Sequence, residues 1–466
     1  MGDRAVRAVA WSTDGVTFSY RSPVGGGVRL GGYVQLGNRD EQLLGQVLSQ
    51  RDVEEEGRRL VVGTGRLLEV APGRPAFDEL PVTAAPDREI AARLDRPGAT
   101  LAFGTLREAG DITARLVAKG FNRHTFLCGQ SGSGKTYSLG RLLEELVLRT
   151  TLPLLVLDPN GDHVHLGRTR ADADPTAAAA YLEAARGVRV LAAEPSDGEE
   201  PLRIRLSELG TAGAAALLQL DPIADRREYN ALIHAIRSAP GRGFASLDAA
   251  MEAFGASGDE VLEGIRLRVE NLGADRMSAW ALRSARTLTE VFEQDTPRAL
   301  IADSSRFEER RERIAVAVAV LEHLWAQRKR RRPLLLVVDE AHDVCPAEPA
   351  DPLQRLAVEL FTRIAGEGRK YGIHLLLASQ RPDKLPENVL SQCDNLLLMR
   401  VNSAGDRAAL AARFGFAPPE LVELAGSFGL GESLLAGRIS PDPQLARTGA
   451  RLTPEGGADV PTDWAG

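Results

Sequence analysis

Apolar residues recur in short runs over the first hundred positions, at 5–11, 16–20, 33–36, 43–48, 60–63 and 100–106. Turn formers such as Gly25-Gly26-Gly27, Gly31-Gly32, Pro72-Gly73 and Pro97-Gly98 separate them. Short strands punctuated in this way predict a small N-terminal β-barrel or sandwich over residues 1–118. After Lys119 the pattern changes. A run at 123–128 predicts a strand, and a glycine-rich loop follows. Leu139, Leu142, Leu143, Leu146 and Val147 then fall on one face of a helix. Further runs of buried-strand type lie at 153–157, 298–302, 333–338, 373–378 and 395–399. Between 208 and 296 strand runs are missing, and helices are predicted at 214–220, 228–238, 246–254, 260–271 and 278–292. Together these predict an α/β core with a parallel sheet over 119–440, carrying a helical insertion at about 208–296. The Pro- and Gly-rich segment 441–466 reads as an extended C-terminal arm.

Composition adds bounds. A length of 466 residues suggests about three domains, and 44% apolar with 26% charged residues implies a folded core. The longest uninterrupted apolar stretch, 314–321, falls short of the ~20 residues needed to span a bilayer. The first residues lack a signal-peptide pattern, and Cys128, Cys345 and Cys393 lie too far apart for a disulfide framework or zinc site. The expectation is a soluble, cytoplasmic chain with no membrane contact. The net charge of −7 argues against a surface that coats nucleic acid. Of 57 basic residues 52 are Arg, a sign of high-GC coding bias that weakens any arginine cluster as a signal. The five lysines, Lys119, Lys135, Lys329, Lys370 and Lys384, stand out correspondingly.

The most specific motif is Gly129-Gln130-Ser131-Gly132-Ser133-Gly134-Lys135-Thr136, a G-x-x-x-x-G-K-[ST] string between a predicted strand and a predicted helix. Such a loop points backbone N–H groups at phosphates, Lys135 reaches the β- and γ-phosphates, and Thr136 binds Mg²⁺. Tyr137 completes the candidate ATP-binding stretch. Some two hundred residues later, 334–338 is an apolar strand ending in Asp339-Glu340, followed by His342. This is a Walker B arrangement in which Asp339 orients Mg²⁺ and Glu340 polarises the attacking water. His342 reads either as a nucleotide-linked contact or as a locally satisfied histidine. The run 373–378 ends in Ser379-Gln380-Arg381, and Gln380 is the candidate γ-phosphate sensor, against a plain turn residue. Arg369, beside Lys370 and just before that strand, is the candidate arginine finger supplied to a neighbouring subunit, with Lys370, Arg363 and Arg381 as alternatives. The basic run Arg328-Lys329-Arg330-Arg331-Arg332 reads as a DNA or partner contact, or as cations suited to a helix C-terminus.

These motifs, in this order, resemble the HerA–FtsK superfamily of P-loop ATPases, and within it the HerA-like branch found in bacteria. Arg123-His124-Thr125 resembles that branch's lead-in to the P-loop, and Asp158-Pro159-Asn160-Gly161-Asp162 its D-P-x-G-E segment. The N-terminal β region is similar to the barrel shared by HerA ATPases and rotary ATP synthases. Gly431-Glu432, Ala436-Gly437 and the Pro-rich tail are similar to the family's C-terminal strand and brace. Ser131 stands where the family usually has Thr, and Asp162 where it has Glu, one methylene longer. The resemblance implies a RecA-like core and a homohexameric ring that threads double-stranded DNA through a basic central pore with ATP. It also implies a separate effector, a nuclease or an NAD-consuming enzyme, in antiphage defence or DNA-end processing. Two alternatives are a conjugation or type IV secretion ATPase and a nucleotide-regulated hexameric scaffold that activates an effector.

Overall fold

The computed structural model describes residues 7–38, 41–55, 57–68, 70–196, 198–238, 260–281 and 285–456. The helix expected at 246–254 lies outside them. The chain forms two compact units, one of Met1–Gly120, Gln130–Gly134 and Asn395–Ala450, the other of Phe121–Gly129, Lys135–Asp394 and Arg451–Gly466.

The first unit begins with β1 (Val9–Ser12), β2 (Thr17–Pro23), β3 (Tyr33–Asn38), β4 (Glu41–Glu55), β5 (Arg58–Leu67) and β6 (Phe77–Ala84). They pair in the order β1-β2-β5-β4-β3-β6, and β6 returns to β1, closing a barrel. Phe18, Tyr20, Val34, Leu36, Val47 and Val82 fill it. The interior is tight enough that a β-carbon at Gly65 would lie 2.1 Å from the Phe18 ring, so only glycine fits beside that aromatic. Then follow β7 (Leu101–Leu106) and β8 (Thr113–Leu116).

The second unit carries β9 (His124–Cys128), β10 (Leu154–Asp158), β11 (Val188–Ala192), β12 (Glu200–Pro201), β13 (Ala299–Asp303), β14 (Leu334–Val338) and β15 (Ile373–Ser379). They run parallel in the order β12-β11-β13-β10-β14-β15-β9. β9, β10, β13, β14 and β15 are buried throughout, as continuous apolar runs demand of a sheet covered on both faces. Register brings their carboxyl ends level: Asp158 lies opposite Asp303, and Ser379 opposite Cys128. That edge is where ligands bind in open parallel sheets.

The insertion holds the helices Gly210–Leu217, Arg226–Ser238, Glu260–Asn271 and Leu288–Asp295. The helix expected at 278–292 starts ten residues late. Trp280 instead bridges Ile204, with Ile204 N–H donating to Ala279 O at 2.8 Å and Ala281 N–H to Ile204 O at 2.9 Å. Helix begins only at Leu288, where Thr287 and Glu290 form a capping box.

β16 (Cys393–Leu398), β17 (Glu432–Gly437) and β18 (Gln444–Thr448) are antiparallel, and β18 pairs with β7. The expected boundary at 440 therefore falls inside a sheet, and the expected arm contributes a strand. An ion pair reinforces this, Arg93 gripping Asp442 through two hydrogen bonds of 2.7 and 2.9 Å.

Candidate nucleotide-binding site

From β9 the chain enters the glycine loop and leaves it in the helix Lys135–Arg149. Gly132 and Gly134 have φ of +71° and +88°, backbone that a side chain would strain and that lets successive N–H groups converge on an anion. Within the first unit, Gln130 N–H donates to Arg400 O at 3.0 Å and Asn402 N–H to Gln130 Oε1 at 2.8 Å. Arg400 Nη2 donates to Gly132 O at 2.7 Å, and Gly431 N–H to Ser133 O at 3.0 Å. The loop is held in shape by its own unit.

In the second unit, Lys135 Nζ donates to Asp339 Oδ1 at 2.5 Å and lies 3.0 Å from Glu340 Oε1. Burial opposes the lysine's charge, but the two carboxylates outweigh it and hold its pKa above the usual lysine value. Burial likewise opposes ionisation of Asp339; contact with His163 and Lys135 prevails and keeps its carboxyl well below the usual carboxylate range. Glu340 sits in the left-handed region, φ 42° and ψ 49°, a conformation glutamate seldom adopts outside a constrained site. His342 Nδ1 lies 3.1 Å from Ser379 Oγ and 3.3 Å from Glu340 Oε2, which ties the Walker B turn to the tip of β15.

Asp158 caps the loop that follows β10, accepting N–H groups from Asn160, Gly161, Asp162 and His163. Burial and the neighbouring Asp158 raise the pKa of Asp162. Asp339 Oδ2 and Glu340 Oε2 are buried without hydrogen bonds among the described residues. Two carboxylates beside a P-loop lysine fit a divalent cation and a water, with Thr136 and Asp339 as the residues that would hold Mg²⁺.

Residues 101–324 match the family described as Helicase HerA, central domain, and residues 277–401 the ATPase family associated with various cellular activities (AAA). The chain is thus similar to the HerA helicases over residues 101–324. It is 32% identical over 115 residues to the DNA double-strand break repair helicase HerA of Pyrococcus furiosus, a match covering 25% of this chain and 20% of that one. The chain thus spans about a fifth of the length of that relative. Its fold is similar to VirB4 of Thermoanaerobacter pseudethanolicus, with a TM-score of 0.51 and 17% identity over 76% of this chain and 98% of that one. It is also similar to the bacterial conjugative coupling protein TrwBdeltaN70, with a TM-score of 0.51 and 13% identity over 79% and 92% of the two chains.

The other expected residues fall at the two ends of β15 and on the helix Pro352–Glu367. Gln380 occupies the bend after β15, half-buried and without a side-chain hydrogen bond among the described residues. Arg369 donates to Asp394 at 2.8 Å, before β15 and so at the opposite end of the strand from Gln380. Lys370 follows it in the same turn, Arg381 is exposed, and Arg363 stacks 5.6 Å from the Trp325 ring. In the basic run, Arg328 covers Trp325 at 4.4 Å while Arg330 and Arg332 reach Glu293 at 2.7 and 3.3 Å. Three of those five cations are thus engaged within the chain, which favours the helix-end reading. Sequence reasoning passes over Arg400, which directly follows the 395–399 run, and His163, which directly follows Asp162.

Proposed function

We propose that this chain is the motor subunit of an ATP-driven translocase or helicase acting on double-stranded DNA. The observation that carries this reading is Lys135 paired with both Asp339 and Glu340. The polyphosphate of ATP is the stronger partner for that ammonium. Once Lys135 turns to it, Asp339 is free for Mg²⁺, whose charge neutralises the phosphates, and Glu340 is free for water. In hydrolysis Glu340 takes a proton from the water as its oxygen attacks the γ-phosphorus and the bond to the ADP oxygen breaks. Gln380 reports the γ-phosphate, and Arg369 acts on the site of a neighbouring copy in a homohexameric ring. Double-stranded DNA passes through a basic central pore, and a net charge of −7 is compatible with a ring that confines its positive charge there. The relative from Pyrococcus furiosus, named as a DNA double-strand break repair helicase, supports the DNA substrate. A separate nuclease or NAD-consuming effector completes the assembly, in antiphage defence or DNA-end processing. No helix among the described residues is long and apolar enough to cross a membrane. ATP turnover of the purified chain, measured with and without duplex DNA, tests the reading. Stimulation by the duplex is expected, and turnover indifferent to DNA would overturn the motor function.

A further inference from the structure

His163 is fully buried, yet neither ring nitrogen completes a hydrogen bond among the described residues. Its Nε2 stands 3.5 Å from Asp339 Oδ2, an oxygen that is itself buried and unbonded. The loop bearing it is fixed. Asp158 Oδ1 accepts the N–H groups of Asn160, Gly161 and Asp162 at 3.2, 2.9 and 3.1 Å. Asp158 Oδ2 takes that of His163 itself at 2.7 Å. Gly161 closes the turn at φ +75°, and Gly456 N–H donates to Asp162 O at 3.0 Å from the other side. The backbone of His163 therefore has no slack, and its ring faces one atom of the Walker B carboxylate. An imidazole kept only for packing would not go without partners in the interior, where an apolar side chain fills the space at lower cost.

We propose that His163 is a positioning residue for Asp339, an inference that rests on the ATP-driven reading above. Without nucleotide, Lys135 holds Asp339 through Oδ1. When Lys135 turns to the phosphates, the remaining anchor at Oδ1 is the Glu340 N–H at 2.8 Å. His163, closing its 3.5 Å approach to Oδ2, supplies the second point that stops the carboxylate from rotating. A carboxylate oriented by such a partner presents its other oxygen to a divalent cation in one geometry, and loss of the partner weakens metal binding.

The test compares the full-length wild type with His163→Ala and His163→Gln. Mn²⁺ binding in the presence of ADP is read by electron paramagnetic resonance, and ATP turnover is followed against Mg²⁺ concentration. His163→Ala should weaken Mn²⁺ binding about tenfold and raise the Mg²⁺ needed for half-maximal turnover by a similar factor. His163→Gln places an amide nitrogen near the position of Nε2 and should restore most of both. Unchanged Mn²⁺ affinity in His163→Ala, or no recovery in His163→Gln, overturns the proposal. If His163→Ala shows no cooperative melting, His163→Leu takes its place as the apolar comparison. A wild type that binds Mn²⁺ with ADP but turns over no ATP overturns the motor reading, while the His163 comparison is still decided by Mn²⁺ affinity.

Discussion

Lys135 Nζ lies 2.5 Å from Asp339 Oδ1, and with Glu340 Oε1 at 3.0 Å the same ammonium serves both Walker B carboxylates. Lys135 is 7% exposed and Asp339 fully buried, so the pairing bears on stability as well as chemistry. Lys135→Met keeps the stem but leaves two carboxylates uncompensated. Breaking a buried pair in this way costs about 3–5 kcal/mol. The nucleotide-free variant should melt well below the wild type and lose ATP turnover. Adding Asp339→Asn should recover part of the melting temperature and none of the turnover. Calorimetry that found Lys135→Met as stable as the wild type would show that the pair contributes nothing to the fold.

Glu340 combines a chemical role with a strained backbone. Glu340→Gln keeps the shape and removes the base, so turnover should fall about 10²–10⁴-fold while ATP stays bound. Wild-type turnover in that variant would show that another group takes the proton. The φ of 42° yields a separate prediction about stability. Alanine at 340 keeps the left-handed penalty and glycine does not, so Glu340→Gly should be more stable than Glu340→Ala by about 1 kcal/mol. Denaturant unfolding of the two inactive variants checks this, and equal stability would mean that the turn relaxes.

Legibility in the sequence follows from how local each signal is. The strands Leu334–Val338 and Ile373–Ser379 show as apolar runs because both faces are covered. β6 escapes notice because Val82 is its one buried residue and Asp78 and Glu79 interrupt any apolar pattern, although this strand closes the barrel. Residues 278–292 carry a helical period, but the pairing of Trp280 with Ile204 overrides it. Lys135, Asp339 and Glu340 are legible as strings of adjacent letters at strand ends. His163 and Arg400 are not, because their relation to the site exists only in three dimensions.

Arg369 and Asp394 form a pair at 2.8 Å, with Arg123 Nε at 3.7 Å from the same carboxylate. With side chains 28% and 43% exposed, the pair contributes at most about 1 kcal/mol. Arg369→Ala should therefore fold and bind ATP like the wild type. If Arg369 is the finger, hydrolysis should fall about 10³-fold or more. Mixing Arg369→Ala with Lys135→Met subunits should restore part of the turnover, since each supplies what the other lacks. A mixture with no regained turnover would count against a finger acting between subunits.

The C-terminal segment bears on the helix that follows the glycine loop. Arg451 and Glu144 are 1% and 0% exposed, and Glu144 also accepts the N–H groups of Leu452 and Thr453 at 3.0 and 2.8 Å. The Arg451 guanidinium lies flat on Gly140, where a β-carbon would come within 2.4 Å of its central carbon. Alanine normally improves on glycine inside a helix by about 0.5–1 kcal/mol. Here the sign should reverse: Gly140→Ala should lower the melting temperature by displacing Arg451 from a buried pair. A rise in melting temperature would show that the segment detaches at little cost.

His124 makes the fold sensitive to acid. Its Nδ1 accepts the N–H of Leu375 at 2.9 Å, so the ring proton sits on Nε2, which donates to Ala365 O at 3.0 Å. An imidazolium has no acceptor left for Leu375. Burial first, and then the nearby Arg369 charge, push its pKa from 6.5 down to about 3. Burial and Arg123 take His374 down to about 4. Between these values and 6.5 the unfolded chain holds protons that the folded chain refuses. Stability is therefore full above pH 6.5 and declines as the pH drops toward 3. The urea midpoint should fall from pH 7 to pH 5. In His124→Gln, which has no ionisable ring at this position, the midpoint should start lower but fall less steeply. An equal slope in both proteins would exclude His124 from the acid response and leave His374 as the buried ring that drives it.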